Sequence, residues 1–304
     1  MKAYYLLNIK KGVLGLKKLS SLLFGFLLIL LLAACNGTTE SVDQTETKES
    51  AETTEETKKE PLTLEEVFAK TTEASADLKS FAMDMNLVQD ITSDVEEANL
   101  TLESSTFMEV VADPIAFYQK MEMTIPDASE TIKTESYFSK DGFYMHDPTS
   151  ATWMKFPAEM TDQLVQLSGQ QTNPADEIKK LEEFSEDVSF EEKENGYALA
   201  LTASGEEFTE LIQETIEQTL PQEMAGNEDV MQNLKIHSVV YDILIDKETF
   251  YPKTMNVNME MEITIEDQTV KLSQQMEGEY SKHNSIDEIV IPAEVLETAE
   301  EMPM

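Results

Sequence analysis

The chain has 304 residues and a formal net charge of −38, with a single cysteine and no arginine among its 22 basic residues. So acidic a chain is a poor candidate for nucleic-acid binding, which needs cations to neutralise phosphates. The lack of arginine also excludes a bidentate arginine clamp on a phosphate or carboxylate ligand.

The first predicted element is a leader that ends at Cys35. Five lysines precede the apolar stretch of residues 22–32, and Leu32-Ala33-Ala34-Cys35 closes it. This order resembles the signal and lipobox of bacterial lipoproteins, which implies removal of residues 1–34 and a diacylglyceryl group on the Cys35 thiol. The alternative is a membrane-spanning anchor with a buried free cysteine. It is less favoured because the apolar run of residues 19–34 is shorter than the about 20 residues that a span needs.

Residues 35–61 are predicted to be the lipidated cysteine and a disordered acidic tether. They are rich in Thr, Glu, Ser and Lys and nearly free of apolar side chains, so they cannot bury enough surface to order themselves. Removal of the five leader lysines would take the net charge from −38 to −43. With the lipobox resemblance, we expect the protein on the outer face of the cytoplasmic membrane, held there by the lipid on Cys35.

One α+β domain is predicted over residues 62–296, followed by a disordered tail at 297–304. A capping box at Thr63 and Glu66 starts a helix over residues 62–79. Alternating apolar residues then predict a meander of strands, which begins at Phe81 and continues at 100–109, 116–125, 132–139 and 142–146. Asp141-Gly142 is a typical hairpin turn.

The second half of the domain is again predicted to contain helices and a meander of strands. Short helices are predicted within residues 157–184, two strands at 188–192 and 197–202, and an amphipathic helix at 206–220 that Pro221 ends. Unbroken alternation over residues 255–266 predicts a long one-sided antiparallel strand, with partners at 237–245 and 270–280. We expect a large curved antiparallel sheet, a half-barrel, whose concave face is covered by the helices at 62–79 and 206–220.

Two segments carry a family resemblance. They are SFAMDMNL after the first helix, at residues 80–87, and YDILIDKETFYPKTMNVNMEMEI at residues 241–263. Both resemble the LolA/LppX-type lipoprotein superfamily, and more closely the uncharacterised Gram-positive lipoproteins near it. The resemblance implies a half-open curved sheet and an apolar cavity that holds lipid or acyl chains in characterised relatives. LolA carriers latch their lid with an arginine that this chain lacks, so lipoprotein trafficking is not implied.

No motif for catalysis or for a cofactor is present. There is no G-x-S-x-G sequence and no glycine-rich phosphate loop. His146, His237 and His283 lie far apart in the sequence, and the many acidic pairs are typical of solvated faces. We therefore expect a protein that is not an enzyme and that binds no cofactor, metal or nucleic acid.

The candidate ligand-lining residues are methionines and aromatics. The methionine pairs are spaced by two, which places both thioethers of a pair on one face of a strand. That arrangement suits either a soft-metal site for Cu(I) or an adaptable apolar surface, and the second is favoured because no His or Cys neighbours the pairs. The aromatics fit the mouth of a cavity and edge packing equally well. The candidates are Met83, Met85, Met121, Met123, Phe143, Trp153, Phe156, Met259 and Met261.

The sequence thus predicts a membrane-anchored extracytoplasmic lipoprotein that binds a lipid or another apolar ligand in a cavity. Its partners would be the membrane, through the diacylglyceryl group of Cys35, and that ligand. The alternative is an envelope protein-interaction or sensor module with a closed core. The sequence names neither the ligand nor a protein partner.

Overall fold

The computed structural model describes residues 61–94, 99–126, 130–158, 178–179, 181–203, 233–265 and 268–302. Their dominant feature is a 12-stranded sheet. Its strands are β1 (Ser80–Ser93), β2 (Leu100–Ala112), β3 (Ile115–Ile125), β4 (Glu130–Ser139), β5 (Gly142–Asp147), β6 (Thr152–Lys155), β7 (Val188–Lys193), β8 (Gly196–Ala203), β9 (Leu234–Ile245), β10 (Pro252–Ile265), β11 (Gln268–Ser281) and β12 (Glu300–Glu301). The helical elements are α1 (Leu64–Ala76), a 3-10 segment (Leu181–Asp187) and α2 (Ala293–Thr298).

The sheet consists of two meanders joined at its centre. Its strand order is β12-β6-β5-β4-β3-β2-β1-β11-β10-β9-β8-β7. All neighbours are antiparallel except β12, which runs parallel to β6. The junction is the long pair of β1 with β11, from Ala82 opposite Ser281 to Ser93 opposite Val270. The large antiparallel sheet expected from the sequence is therefore present, and its size is consistent with the expected curvature.

Helix α1 begins as the sequence predicts. The Thr63 backbone N–H donates to Glu66 Oε2 at 2.8 Å, and the Glu66 backbone N–H donates to Thr63 Oγ1 at 3.2 Å. The helix ends at Ala76, where the backbone N–H of Asp77 bonds to carbonyls of the last turn. It is shorter than the predicted 62–79 because Ser80 already belongs to β1.

One face of the sheet carries the hydrophobic core. Along β1, Phe81, Met85 and Leu87 are buried, whereas Asp84 and Asn86 between them are exposed. We call the face with the buried residues the inner face and the opposite one the outer face. Val67 and Phe68 of α1 belong to the same hydrophobic cluster as the inner-face residues, so α1 packs on this face. The other expected cover, residues 206–220, lies outside the described residues.

Three elements, β6, α2 and β12, were absent from the sequence prediction. Strand β6 is only four residues long, too short for alternation to reveal, and follows Ala151 with a positive φ of 53°. A disordered tail was expected from residue 297, but the chain there completes α2 and forms β12. The backbone N–H of Met302 also donates to the Lys155 carbonyl at 2.9 Å. These ladder bonds give the segment a place at the β6 edge that its polar composition does not suggest.

No helix among the described residues has the length and apolar character needed to cross a membrane.

Candidate functional site: the inner face of the sheet

The strand registers bring the three predicted methionine pairs onto the inner face. Met85 lies opposite Thr106 of β2, which lies opposite Met121 of β3. On the other side of β1, Met259 of β10 lies opposite Gln274 of β11. Gln274 pairs with Gln89 of β1, on the same face as Met85. Pairs that are distant in sequence therefore share one continuous surface, which also includes Met83, Met123 and Met261.

Phe143 and Phe156 also lie on the inner face, at its β5–β6 end. Their ring centroids are 4.5 Å apart. Phe138 and Phe117 continue the row and stack on each other at 5.1 Å. The result is a belt of phenylalanines beside the methionines, in which Phe138 is fully buried and Phe143 half-buried.

Trp153 lies on the outer face, separated from the other candidates. It lies opposite His146, and its ring is 5.6 Å from that of Tyr137. Once Thr152–Lys155 is known to be a strand, alternation alone places Trp153 and Phe156 on opposite faces. Trp153 therefore belongs to an outer aromatic stripe, whose members are Phe107, Tyr118, Tyr137, His146 and Trp153.

The outer aromatic stripe has its own electrostatic environment. Burial raises the pKa of the Tyr118 hydroxyl above its ordinary value, and the charges of Glu135 and Glu109 raise it further. The pKa of Tyr137 is raised by burial, by Tyr118 and by Glu135. Both phenols therefore stay protonated at neutral pH.

The two halves of the inner face differ in burial. We call the inner-face residues of β1 and β7–β11 the packed half, and those of β2–β6 the mixed half. In the packed half, Met255 is 2% exposed and Met261 3%, and both belong to the core cluster with α1. In the mixed half, Met121, Met123 and Phe143 are only half-buried.

The mixed half also interleaves polar groups with its apolar side chains. One row across it contains Met108, Gln119, Ser136, Met145 and Met154. The Ser136 hydroxyl donates to Gln119 Oε1 at 3.4 Å. Thr106, in the neighbouring row, is 2% exposed. This half therefore combines apolar contact with scattered hydrogen-bonding groups, as ligand sites do.

A depression of about 490 Å³ lies elsewhere, at the β7–β10 end of the sheet. Most of its lining lies on the outer face, where Ser189, Glu191, Asp242 and Asn256 surround Ala200. It therefore differs from the apolar cavity expected on the inner face.

The three histidines are separate from one another. The ring of His146 packs edge-on against that of Trp153, with the ring centroids 5.4 Å apart. His237 Nε2 lies 3.3 Å from Glu262 Oε2, and His283 stacks on Tyr251 at 4.8 Å. Within the described part of the chain, no three His, Cys, Asp or Glu side chains converge as metal ligands would.

The sequence of this domain matches a known family. A model described as a family of unknown function, DUF6612, matches residues 63–300. The chain belongs to DUF6612. The match includes α1 and all of the described strands except the last residue of β12, so the inner face of this DUF6612 chain lies within it. No curated protein matches the sequence.

Several solved structures are similar to this DUF6612 chain. LprF from Mycobacterium bovis is 12% identical with a TM-score of 0.35, over 74% of this chain and 94% of LprF. A DUF1329 family protein from Desulfovibrio piger is 9% identical with a TM-score of 0.24, over 72% of this chain and 91% of that protein. A lipovitellin structure is 9% identical with a TM-score of 0.28, over 71% of this chain but 26% of lipovitellin.

Proposed function

We propose that this DUF6612 chain is a lipid-anchored extracytoplasmic protein that binds a lipid or another apolar ligand on the inner face of its sheet. The observation that carries the proposal is the mixed half. It presents half-buried methionines and phenylalanines on the same face as the core, beside the buried hydroxyls of Thr106 and Ser136 and the half-buried amide of Gln119. The resemblance of residues 80–87 and 241–263 to LolA/LppX-type lipoproteins supports the same function.

The residue types of the mixed half suit a ligand of variable shape. Methionine is unbranched and polarizable, so it adapts to irregular or flexible partners such as acyl chains. Met121 and Met123 on β3 are half-buried, and Met145 and Met154 extend the surface towards the β6 edge. Their outer-face neighbours Lys120 and Glu122 are exposed and charged, so the apolar character is confined to one face.

Membrane attachment would come from Cys35 and not from the domain. Two acyl chains, at about 0.8 kcal/mol for each buried methylene, hold a soluble domain stably at a membrane. The net charge, −38 for the full chain and −43 without the five leader lysines, would keep the protein away from an anionic bilayer surface. The inner face would then be free to take a ligand, and the protein would act by binding and not by catalysis.

Lipid retention tests the proposal. The domain from residue 61 onward, delipidated by unfolding and refolded, is incubated with phosphatidylglycerol vesicles and examined by native mass spectrometry. We expect retained lipid in the wild type. We expect at least a tenfold loss in Met121→Lys, because a lysine on the inner face would put a charge against the ligand's acyl chains.

The matched control is Glu122→Lys, the next residue on β3, which faces outward. It adds the same side chain on the other face and should leave retention unchanged. Circular dichroism and a melting curve check that both variants fold, and Met121→Gln serves as a milder substitute. No lipid on the wild type, or equal loss in both variants, would contradict the proposal and support a protein-interaction module with a closed core.

The anchor is tested separately in cells. A bacterium expressing the full chain is fed an alkyne analogue of palmitate. We expect label on the wild type and none on Cys35→Ser, which should also leave the membrane fraction. Equal labelling of both would contradict lipidation at Cys35.

A further inference from the structure

Thr106 has a buried hydroxyl for which no described residue provides a hydrogen bond. Its side chain is 2% exposed, and its Oγ1 has no partner within the part of the chain that the structure describes. It lies at the centre of β2, on the inner face, between Met85 of β1 and Met121 of β3. A buried polar group without a partner is costly and rare in folded proteins, so this hydroxyl requires an explanation.

Other buried polar side chains of the inner face do have partners. Gln89 Nε2 donates to Gln274 Oε1 at 3.0 Å in the packed half. Ser136 donates to Gln119 in the mixed half. The fold is therefore able to satisfy polar groups on this face, and the unpartnered hydroxyl of Thr106 is a local feature.

A second hydroxyl of this kind lies on the helix that packs against the sheet. Thr71 of α1 is 1% exposed, and its Oγ1 also has no partner among the described residues. It follows Val67 and Phe68 by one helical turn, so it is on the buried side of α1. Both the sheet and the helix thus present an unused hydroxyl to the interior.

The surroundings of Thr106 restrict the group that would bond to it. Strands β1–β6 carry their lysines, Lys120, Lys133 and Lys155, on the outer face. An ionised fatty acid would therefore meet no lysine of these strands on the inner face. An ester carbonyl is uncharged, accepts a hydrogen bond and is joined directly to acyl chains, so it fits a hydroxyl donor among methionines.

We propose that Thr106 is a specificity-determining residue, whose hydroxyl donates to an ester carbonyl of a bound diacyl lipid. This assignment rests on the proposed lipid-binding function and adds the chemical class of the ligand. It explains why a threonine occupies a buried position where valine would have the same shape and no unsatisfied group.

The test compares two uncharged probes that differ only in the ester carbonyls: dioleoylglycerol and its dioleyl diether analogue. They compete for the refolded domain in equal amounts, and native mass spectrometry measures the ratio retained. We expect the wild type to prefer the diester about fivefold, the effect of one hydrogen bond. Thr106→Val should lose that preference and bind both probes alike, with a melting temperature equal to or above that of the wild type.

The control variant is Thr124→Val on β3, whose hydroxyl lies on the outer face, 3.3 Å from that of Thr131. It should keep the fivefold preference. If the wild type retains both probes equally, or if Thr106→Val keeps the preference, the assignment of Thr106 is overturned while lipid binding stands. If the wild type retains neither probe nor any vesicle lipid, the proposed function fails and the assignment with it.

Discussion

The packed half and the mixed half of the inner face are built from the same alternating pattern but differ in how deeply their methionines are buried. The packed-half methionines Met255, Met259 and Met261 belong to one hydrophobic cluster, which also includes Val67 and Phe68 of α1, Ile178, Leu181 and, from β2, Leu102 and Val110. In the mixed half, the methionines of β3, β5 and β6 are half-buried and lie outside that cluster. The comparison teaches that methionine alternation identifies a face of the sheet, whereas tertiary packing determines how deeply each part of that face is buried.

The largest expected effect is on the free energy of unfolding, when one phenyl ring is removed either from the core cluster or from the mixed half. Phe68→Ala should lower the free energy of unfolding by about 3–5 kcal/mol, because Phe68 is 1% exposed in the packed cluster. Phe143→Ala removes the same ring from a half-buried site and should cost about 1–2 kcal/mol. Urea denaturation of both variants measures the difference. Equal losses would mean that the two halves contribute alike to stability.

A smaller effect concerns the buried polar groups. Gln89→Leu should cost about 1–3 kcal/mol, because it leaves the Gln274 amide buried without the Gln89 partner. Thr106→Val removes a hydroxyl that has no partner and should leave stability unchanged or raise it. Chemical denaturation of the ligand-free domain measures both. A Gln89→Leu variant with the same free energy of unfolding as the wild type would show that the glutamine pair contributes nothing to the stability of the packed half.

The smallest expected effect is a pH dependence at the end of the packed half. Burial lowers the pKa of His283 below its ordinary value, although the Pro252 backbone and the charge of Asp246 partly oppose this. The folded state therefore favours the neutral ring. Its contribution to stability is complete above the unfolded pKa of about 6.5 and is lost as the pH falls below that value towards the folded pKa.

This dependence is measured by urea denaturation at a series of pH values from about 7.5 to 5. His283→Phe keeps a ring that can stack on Tyr251 but cannot titrate. We expect the wild type to lose stability over this range more steeply than the variant. The same slope in both proteins would assign the pH dependence to other groups.

Local patterns in the sequence predicted most of the individual elements. The Thr63–Glu66 capping box identifies the start of α1. Alternation identifies strands β1–β5 and β7–β11, and most of the predicted strand ends lie within a few residues of the observed ones. The hairpin turn predicted at Asp141-Gly142 is also present, because Ser139 pairs with Gly142 across it and Gly142 has a φ of 133°. These predictions succeed because caps, turns and alternation depend on neighbours in the sequence.

The arrangement of the candidate residues was harder to predict. Alternation shows that Met121 and Met123 share a face, but it does not show that Thr106 lies between Met121 and Met85. Trp153 could not be separated from Phe156 without knowing that β6 is a strand. Thr106 gave no sequence signal at all, because an unsatisfied hydroxyl is defined by what surrounds it.

By itself, the sequence determined the acidic charge, the helix start at Thr63 and the one-sided strands. Each of these follows from composition or from residues close together in the chain. Only the tertiary structure decided that β1 pairs with β11, that Val67 and Phe68 of α1 join the inner-face cluster, and that the buried Thr106 hydroxyl has no partner among the described residues. Those features depend on contacts between residues far apart in sequence, where register and burial are fixed by the packing of the whole sheet.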